Sequence, residues 1–224
     1  MEQHELWEKE QSELQKHLQN MKYICLDQVE WIAGMDCAYW NADGKNLGVC
    51  GYQIFKKETG EVIEQGTVSS EISQQYIPGF LYYREHMLME MAFNKMQHRP
   101  DILCIDGNGI LHPRFMGEAV QFGIQNQIAT IGISKNLYKF KGLQKSGHLF
   151  YYRNMLVGKE ILLSSQSQKY AYISAGFKTR LEDAERLVLY MQQFSPPSKY
   201  AYLTKGSDHI VREYVRKLPG AIPS

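Results

Sequence analysis

PDILCIDGNGILHPR, residues 100–114, carries a buried strand and the polar edge around which the rest of the chain is organised. Ile102, Leu103, Cys104 and Ile105 form an unbroken apolar run between turn residues, the pattern of a short strand buried on both faces. The run ends on Asp106, which places a carboxylate at the carboxyl end of a central strand, where open α/β sheets bind their ligands. Gly107 and Gly109 let backbone or ligand come close. His112, Pro113 and Arg114 then bring a proton carrier, a helix-starting proline and a forked anion donor to the same edge. A lone Asp-Gly after a core strand is most often only a turn. The density of polar groups beside a buried strand is what marks this edge as a candidate site.

Upstream, residues 31–39 (WIAGMDCAY) read as a strand with both faces largely apolar, so Asp36 points into a core. An unpaired buried carboxylate costs several kcal/mol, which calls for a metal ion, a basic partner or a hydrogen-bond network. Asp43-Gly44 makes a hairpin turn into a return strand at 47–55, and Glu58-Thr59-Gly60 turns the chain into a third strand at 62–69. Residues 4–22 carry Leu6, Leu14, Leu18 and Met21 at helical spacing and read as an outer covering helix. Residues 80–97 form a helix that ends before Pro100, and its apolar stripe of Leu81, Leu88 and Met91 or Ala92 includes Glu85. Glu85 therefore needs a partner, either a neighbouring cation such as Arg84 or a place in the same site as Asp36 and Asp106.

Downstream, Met116, Ala119, Val120, Gly123 and Ile124 mark a second helix, and residues 129–134 a second buried strand that ends at Lys135. A three-strand antiparallel meander followed by alternating strands and helices predicts a mixed α/β sheet with right-handed crossovers, flanked by helices, in a ribonuclease H-like arrangement. Lys135, Lys139, Lys141 and Lys145, with Tyr138 and Phe140 among them, suit a phosphate backbone, although a solvated lysine loop is the commoner origin of such a run. Strands at 149–153 and 170–174 bracket 157–164. Thr179 and Glu182 read as a capping box for a last helix carrying Leu181, Ala184, Leu187, Val188 and Met191. Residues 195–224 have no evident period and read as a surface tail of one domain spanning 1–224.

With 44% apolar and 22% charged residues and a net charge of +1, the chain has no global basic field, so any nucleic-acid affinity must be local. Cys25, Cys37, Cys50 and Cys104 lack metal-ligand spacing, which fits a reduced compartment. Met1 leads into a charged amphipathic segment and no apolar stretch is long enough for a bilayer, so the expectation is a cytoplasmic protein with no membrane partner. Asp36, Glu85 and Asp106 on separate elements suit a Mg²⁺ site, with Mn²⁺ as a substitute, and metal-assisted hydrolysis.

The ordered series AGMDCAYW (33–40), YIPGFLYYRE (76–85), PDILCIDGNGILHPR (100–114), TIGISK (130–135) and SAGF (174–177) running into the helix to 187 resembles the endonuclease V family of inosine-directed nucleases. The resemblance covers roughly residues 31–190. It implies that Asp36 and Asp106 bind the metal, that Glu85 completes the acidic site, and that Lys135 stands near the scissile phosphate. It places Tyr76, Ile77 and Pro78 in a wedge that enters the duplex, and Gly79, Leu81, Gly107 and His112 around a flipped base. The implied reaction is cleavage of the second phosphodiester bond 3′ to deoxyinosine in DNA, leaving 3′-hydroxyl and 5′-phosphate ends, in DNA repair by a monomer. Two departures stand out: Phe177 where the family commonly has histidine, and Gln75 where proline often precedes the wedge tyrosine. Inosine-containing RNA as substrate, and an inosine-binding protein with catalysis impaired by Phe177, are the alternatives.

Overall fold

The computed structural model describes residues 3–19, 21–164, 169–195, 201–218 and 222–223. One end of its sheet is the meander predicted from the turn chemistry: β1 (Trp31–Ala42), β2 (Lys45–Lys56) and β3 (Val62–Glu71) pair antiparallel in succession. β4 (Ile102–Ile105) pairs parallel with β1 and with β5 (Ala129–Ser134). These two short strands are buried along their length, which is why they read as unbroken apolar runs rather than as alternation. β9 (Lys169–Ala175) returns antiparallel to β5, and β8 (Met155–Ser164), β7 (Leu149–Tyr152) and β6 (Gln144–Ser146) extend the sheet. The order is β3-β2-β1-β4-β5-β9-β8-β7-β6, with β10 (Ile222–Pro223) pairing to the end of β1. This is the ribonuclease H-like mixed sheet expected from the sequence.

Two cores cover the two faces. On one, Ala33, Met35, Leu103 and Ile105 pack against α2 (Leu81–Lys95) and α3 (Glu118–Asn126). On the other, Ile32, Ile102, Cys104 and Ile131 pack against α4 (Leu181–Gln192) and the start of α5 (Tyr202–Arg216). The alternation of β1 thus decides what each of its side chains meets. Gly34 is a close-approach position: a Cβ there would lie 1.6 Å from the Leu203 carbonyl oxygen, so only glycine lets α5 rest on the strand.

Three expectations are corrected. The first helix, α1, spans Gln3–Leu14 and gives way to a 3-10 turn at Gln15–Leu18; its buried residues are Trp7 and Gln11, while Leu6 is exposed. Trp7 stacks on Tyr83 at 4.5 Å, so an aromatic contact with α2 outweighs the leucine stripe. The cap of α4 lies one residue later than read, with the Asp183 carboxylate accepting from the Arg180 N–H at 3.1 Å. Thr179 Oγ1 instead donates to the Thr130 carbonyl at 2.7 Å. The third concerns the tail. Its residues 201–218 are not a surface-following strand of coil but contain α5, which buries Leu203, Thr204, Ser207, Asp208, Val211 and Val215 against β1 and β2. Residues 196–200, 219–221 and 224 of that tail lie outside the described residues. Among the described residues no helix is long and apolar enough to cross a membrane.

Candidate active site

On β1, Asp36 shares a face with Gly34, Ala38 and Trp40, the face that α5 covers, whereas Cys37 and Tyr39 turn to the α2 side. The end of β4 brings Asp106 alongside, and α5 lowers Asp208 onto both. Ligand oxygens of Asp36, Asp106 and Asp208 all lie within 4.8 Å of one another. The Lys135 ammonium, delivered by the end of β5, sits among them: Nζ is 2.9 Å from Asp36 Oδ2 and 2.6 Å from Asp208 Oδ1, and it also contacts Asp106 Oδ2. Arg212 Nε donates to Asp208 Oδ1 at 2.8 Å from one turn further along α5.

Burial, reinforced by the neighbouring Asp106, pushes the Asp36 carboxyl well above the usual range, and burial likewise raises Asp106 against the opposing pull of Lys135. Asp208 is also raised by burial, but hydrogen bonds from Lys135 and Arg212 outweigh it and leave the carboxyl below its ordinary value. Lys135 ends above its ordinary value because Asp36 and Asp106 overcome its desolvation. Three hard oxygen donors converging on a point already taken by a cationic nitrogen are chemically suited to a divalent cation.

Glu85 is not one of this trio. It approaches from the α2 face, where the Tyr39 hydroxyl donates to Oε1, and it raises a second, unpredicted carboxyl, Glu118, which lies beside it. Glu118 is 3% exposed and both its oxygens lack a hydrogen-bond donor among the described residues. Gly107 covers it so closely that a Cβ would come to 2.3 Å from Oε2. Burial raises both glutamates, Glu118 the more strongly. Arg84 makes no direct ion pair with Glu85; it donates to the Gln74 carbonyl at 2.9 Å and lies over the Tyr39 ring at 4.2 Å, and its charge pulls the Glu85 carboxyl down by less than burial raises it.

Beside the trio opens a cavity of about 300 Å³ whose lining includes Tyr76, Gly79, Leu81, Asp106, Gly107 and His112. Beside it Tyr76 and Ile77 are 56% and 37% exposed, and Pro78 is exposed with them, so three apolar side chains in succession face solvent. The root of this loop is held hard. The Gly79 carbonyl accepts from Arg114 Nη2 at 2.9 Å and from Gln11 Nε2 and His112 Nε2 at 3.2 Å each. His112 Nδ1 accepts from the backbone N–H of Arg114 at 3.2 Å, which fixes the neutral Nε2–H tautomer. Burial, with Arg114 beside it, lowers the imidazole to about 3. Both ring nitrogens are thereby engaged in shaping the loop.

A second cavity, about 400 Å³, opens on the far side of the trio between Asp36, Lys135, Asp208, Arg212 and Arg216. Phe177 lines neither. It is buried with Met116, Val120 and Ile124 behind α3, so Phe177 falls in a packing cluster and not among the carboxylates.

A family model described as Endonuclease V matches residues 12–199, a span that stops short of α5 and Asp208. Endonuclease V of Bacillus velezensis is 32% identical over 201 residues, covering 85% of this chain and 84% of its own. The crystal structure of endonuclease V from Bacillus subtilis superposes with a TM-score of 0.85 at 27% identity, covering 97% of this chain and 95% of that one. A Ciona intestinalis endonuclease V in complex with a 24mer DNA containing an inosine followed by a ribo-adenosine shares the fold, with a TM-score of 0.83 at 21% identity over 97% of this chain and 99% of that one. Motif series, sheet order and relatives agree, and the chain belongs to the endonuclease V family.

Proposed function

We propose that this protein is a Mg²⁺-dependent endonuclease that cuts the second phosphodiester bond 3′ to deoxyinosine in DNA, leaving 3′-hydroxyl and 5′-phosphate ends, and so acts in DNA repair. One observation carries the reading: Asp106 belongs at once to the trio of carboxylates and to the lining of the 300 Å³ cavity. A base held in that cavity leaves its own backbone beside the acidic group.

The parts divide the work. Tyr76, Ile77 and Pro78 offer an exposed apolar edge that fills the gap left by an extruded base, and an inosine pair gives way for only a few kcal/mol. Gly79, Leu81, Gly107 and His112 shape the cavity, with His112 and Arg114 holding the Gly79 carbonyl in place. Asp36, Asp106 and Asp208 hold the cation, and Glu85 completes the acidic edge from the α2 side. A bound divalent ion supplies Lewis-acid polarisation of a phosphodiester oxygen and a more acidic water. Lys135 keeps a positive charge at the same edge, where it opposes the negative charge that builds on the phosphoryl group in the transition state.

The test is incubation of an inosine-containing duplex, its adenosine counterpart and a matched inosine RNA with Mg²⁺. A single nick in the inosine DNA strand, lost in Asp106→Ala, is the expected result. No nick, or equal nicking by Asp106→Ala, overturns the reading, and cleavage of the RNA alone overturns the substrate assignment.

A further inference from the structure

The described part of α5 has two faces with different content. The buried face holds Leu203, Thr204, Ser207, Asp208, Val211 and Val215. On another, Lys205, His209, Arg212 and Arg216 follow one another at spacings of four, three and four, which at 3.6 residues per turn puts them in one row. His209, Arg212 and Arg216 are exposed and Lys205 is half-buried. Between Lys205 and Arg216 the row runs roughly 16 Å at 1.5 Å per residue. That length spans about five nucleotides of a duplex strand at roughly 3.4 Å each.

The row passes the reacting edge. Asp208 lies on the boundary between the two faces, so the turn that places a carboxylate in the trio also places Arg212 over it. Arg212 and Arg216 then form one wall of the 400 Å³ cavity, whose opposite side is Asp36 and Lys135. The two cavities flank the trio: the first meets it through Asp106, the second through Asp36 and Asp208. A strand with a base in the first cavity and its backbone at the trio continues into the second.

Polarity follows from the proposed cut, and in this respect the inference rests on that reading. The flipped base lies 5′ to the bond that breaks, so what leaves the trio toward α5 is the strand 3′ to the cut. We infer that the basic row of α5, led by Arg212 and Arg216, is a binding site for the sugar-phosphate backbone 3′ to the cleaved bond. Arg212 is tied to the buried Asp208 at 2.8 Å, so it meets the strand at the trio itself, and Arg216 is the member turned outward. Arg216 pairs with Glu213 at 2.8 Å, but at 69% and 34% exposure such a pair contributes little that a phosphate would have to replace. The site has no contact with base edges in this account, so it adds affinity and register without sequence preference.

The experiment uses the full chain in EDTA, with binding to a fluorescent inosine duplex followed by anisotropy over a series of NaCl concentrations. Arg216→Gln is the lead variant because Arg216, unlike Arg212, does not touch the trio, and Arg216→Lys is its control. Losing one phosphate contact lowers the slope of log affinity against log salt by about 0.9, so between 50 and 200 mM salt the variant loses about 3.5-fold less affinity than wild type. Arg216→Lys keeps the wild-type slope. Uncharged methylphosphonates placed 3′ to the cut erase the difference between Arg216→Gln and wild type, and the same groups placed 5′ leave it.

An unchanged slope in Arg216→Gln, in a protein that still nicks the duplex with Mg²⁺, overturns this site and leaves the proposed activity standing. Loss of the difference on 5′ substitution overturns the 3′ assignment. A lowered slope in a protein that does not nick inosine supports the nucleic-acid site while overturning the activity from which its polarity was taken.

Discussion

Replacing Glu118 by glutamine tests the electrostatic picture without touching the trio. Glu118 is 3% exposed, receives no hydrogen bond from another donor among the described residues, and shares a side-chain hydrogen bond with Glu85. Burial first, and the Glu85 charge second, hold its carboxyl well above the ordinary range. A glutamate in the unfolded chain releases its proton near pH ~4.3, and each further pH unit over which the folded state keeps that proton costs about 1.4 kcal/mol of stability. The unfolded state then binds fewer protons, so stability falls as pH rises from the unfolded value to the raised folded one. At pH ~7.5 the ceiling on this cost is about 4 kcal/mol. Glu118→Gln removes the titration and keeps a donor beside Glu85 at every pH. The variant should be more stable than wild type in EDTA at pH ~7.5, by no more than that ceiling, each kcal/mol worth roughly 2–4 °C in a chain of this size, and should lose that advantage near pH 4. Urea or thermal unfolding across the pH range measures it. A variant less stable than wild type at pH 7.5, or an equal difference at both ends of the range, refutes the reasoning.

Phe177→Ala should cost about 3–5 kcal/mol by emptying the cluster behind α3 while leaving cleavage per folded molecule unchanged, as chemical unfolding and active-site-normalised rates will report. By the same logic Phe177→His should give no faster cleavage than wild type; faster cleavage would return Phe177 to the chemistry. His112, held near 3 and with both nitrogens engaged, should contribute no inflection to the pH–rate profile between 5 and 8, and His112→Asn should raise KM for an inosine oligonucleotide without moving the profile. Tyr76→Ala should leave stability within about 0.5 kcal/mol, since the side chain is 56% exposed, yet lower kcat/KM on duplex substrate more than on single-stranded substrate.

Much of the fold was legible because the central strands are chemically unambiguous. The runs 102–105 and 129–134 have apolar residues on both faces, and the structure gives them those bounds. The meander was legible from its turns. α5 was not, for a physical reason: half of its buried face is polar, with Thr204, Ser207 and Asp208 beside Leu203, Val211 and Val215, and Gly206 lies mid-helix. The four-residue recurrence of 203, 207, 211 and 215 was the available signal, masked by weak helix formers. Asp208 was lost with that helix. Glu118 was missed because an acid in the first turn of a helix ordinarily reads as a partner of the helix dipole in solvent, and only the tertiary fold reveals that it is enclosed. Glu85 was recognised as a buried acid, but sequence spacing alone does not say which side of β1 it reaches. The strand alternation that separates Asp36 from Tyr39 does.

The proposed function requires that carboxylates of Asp36 on β1, Asp106 after β4 and Asp208 on α5 share one divalent cation at the edge where the strand is cut. An anomalous-difference map from crystals soaked in Mn²⁺ tests it most directly. One peak is expected among Asp36, Asp106 and Asp208, with carboxylate oxygens roughly 2.0–2.3 Å from the ion and the Lys135 ammonium moved off the centre it now occupies. A map without a peak there, or with the ion held by Glu85 and Glu118 alone, would contradict it.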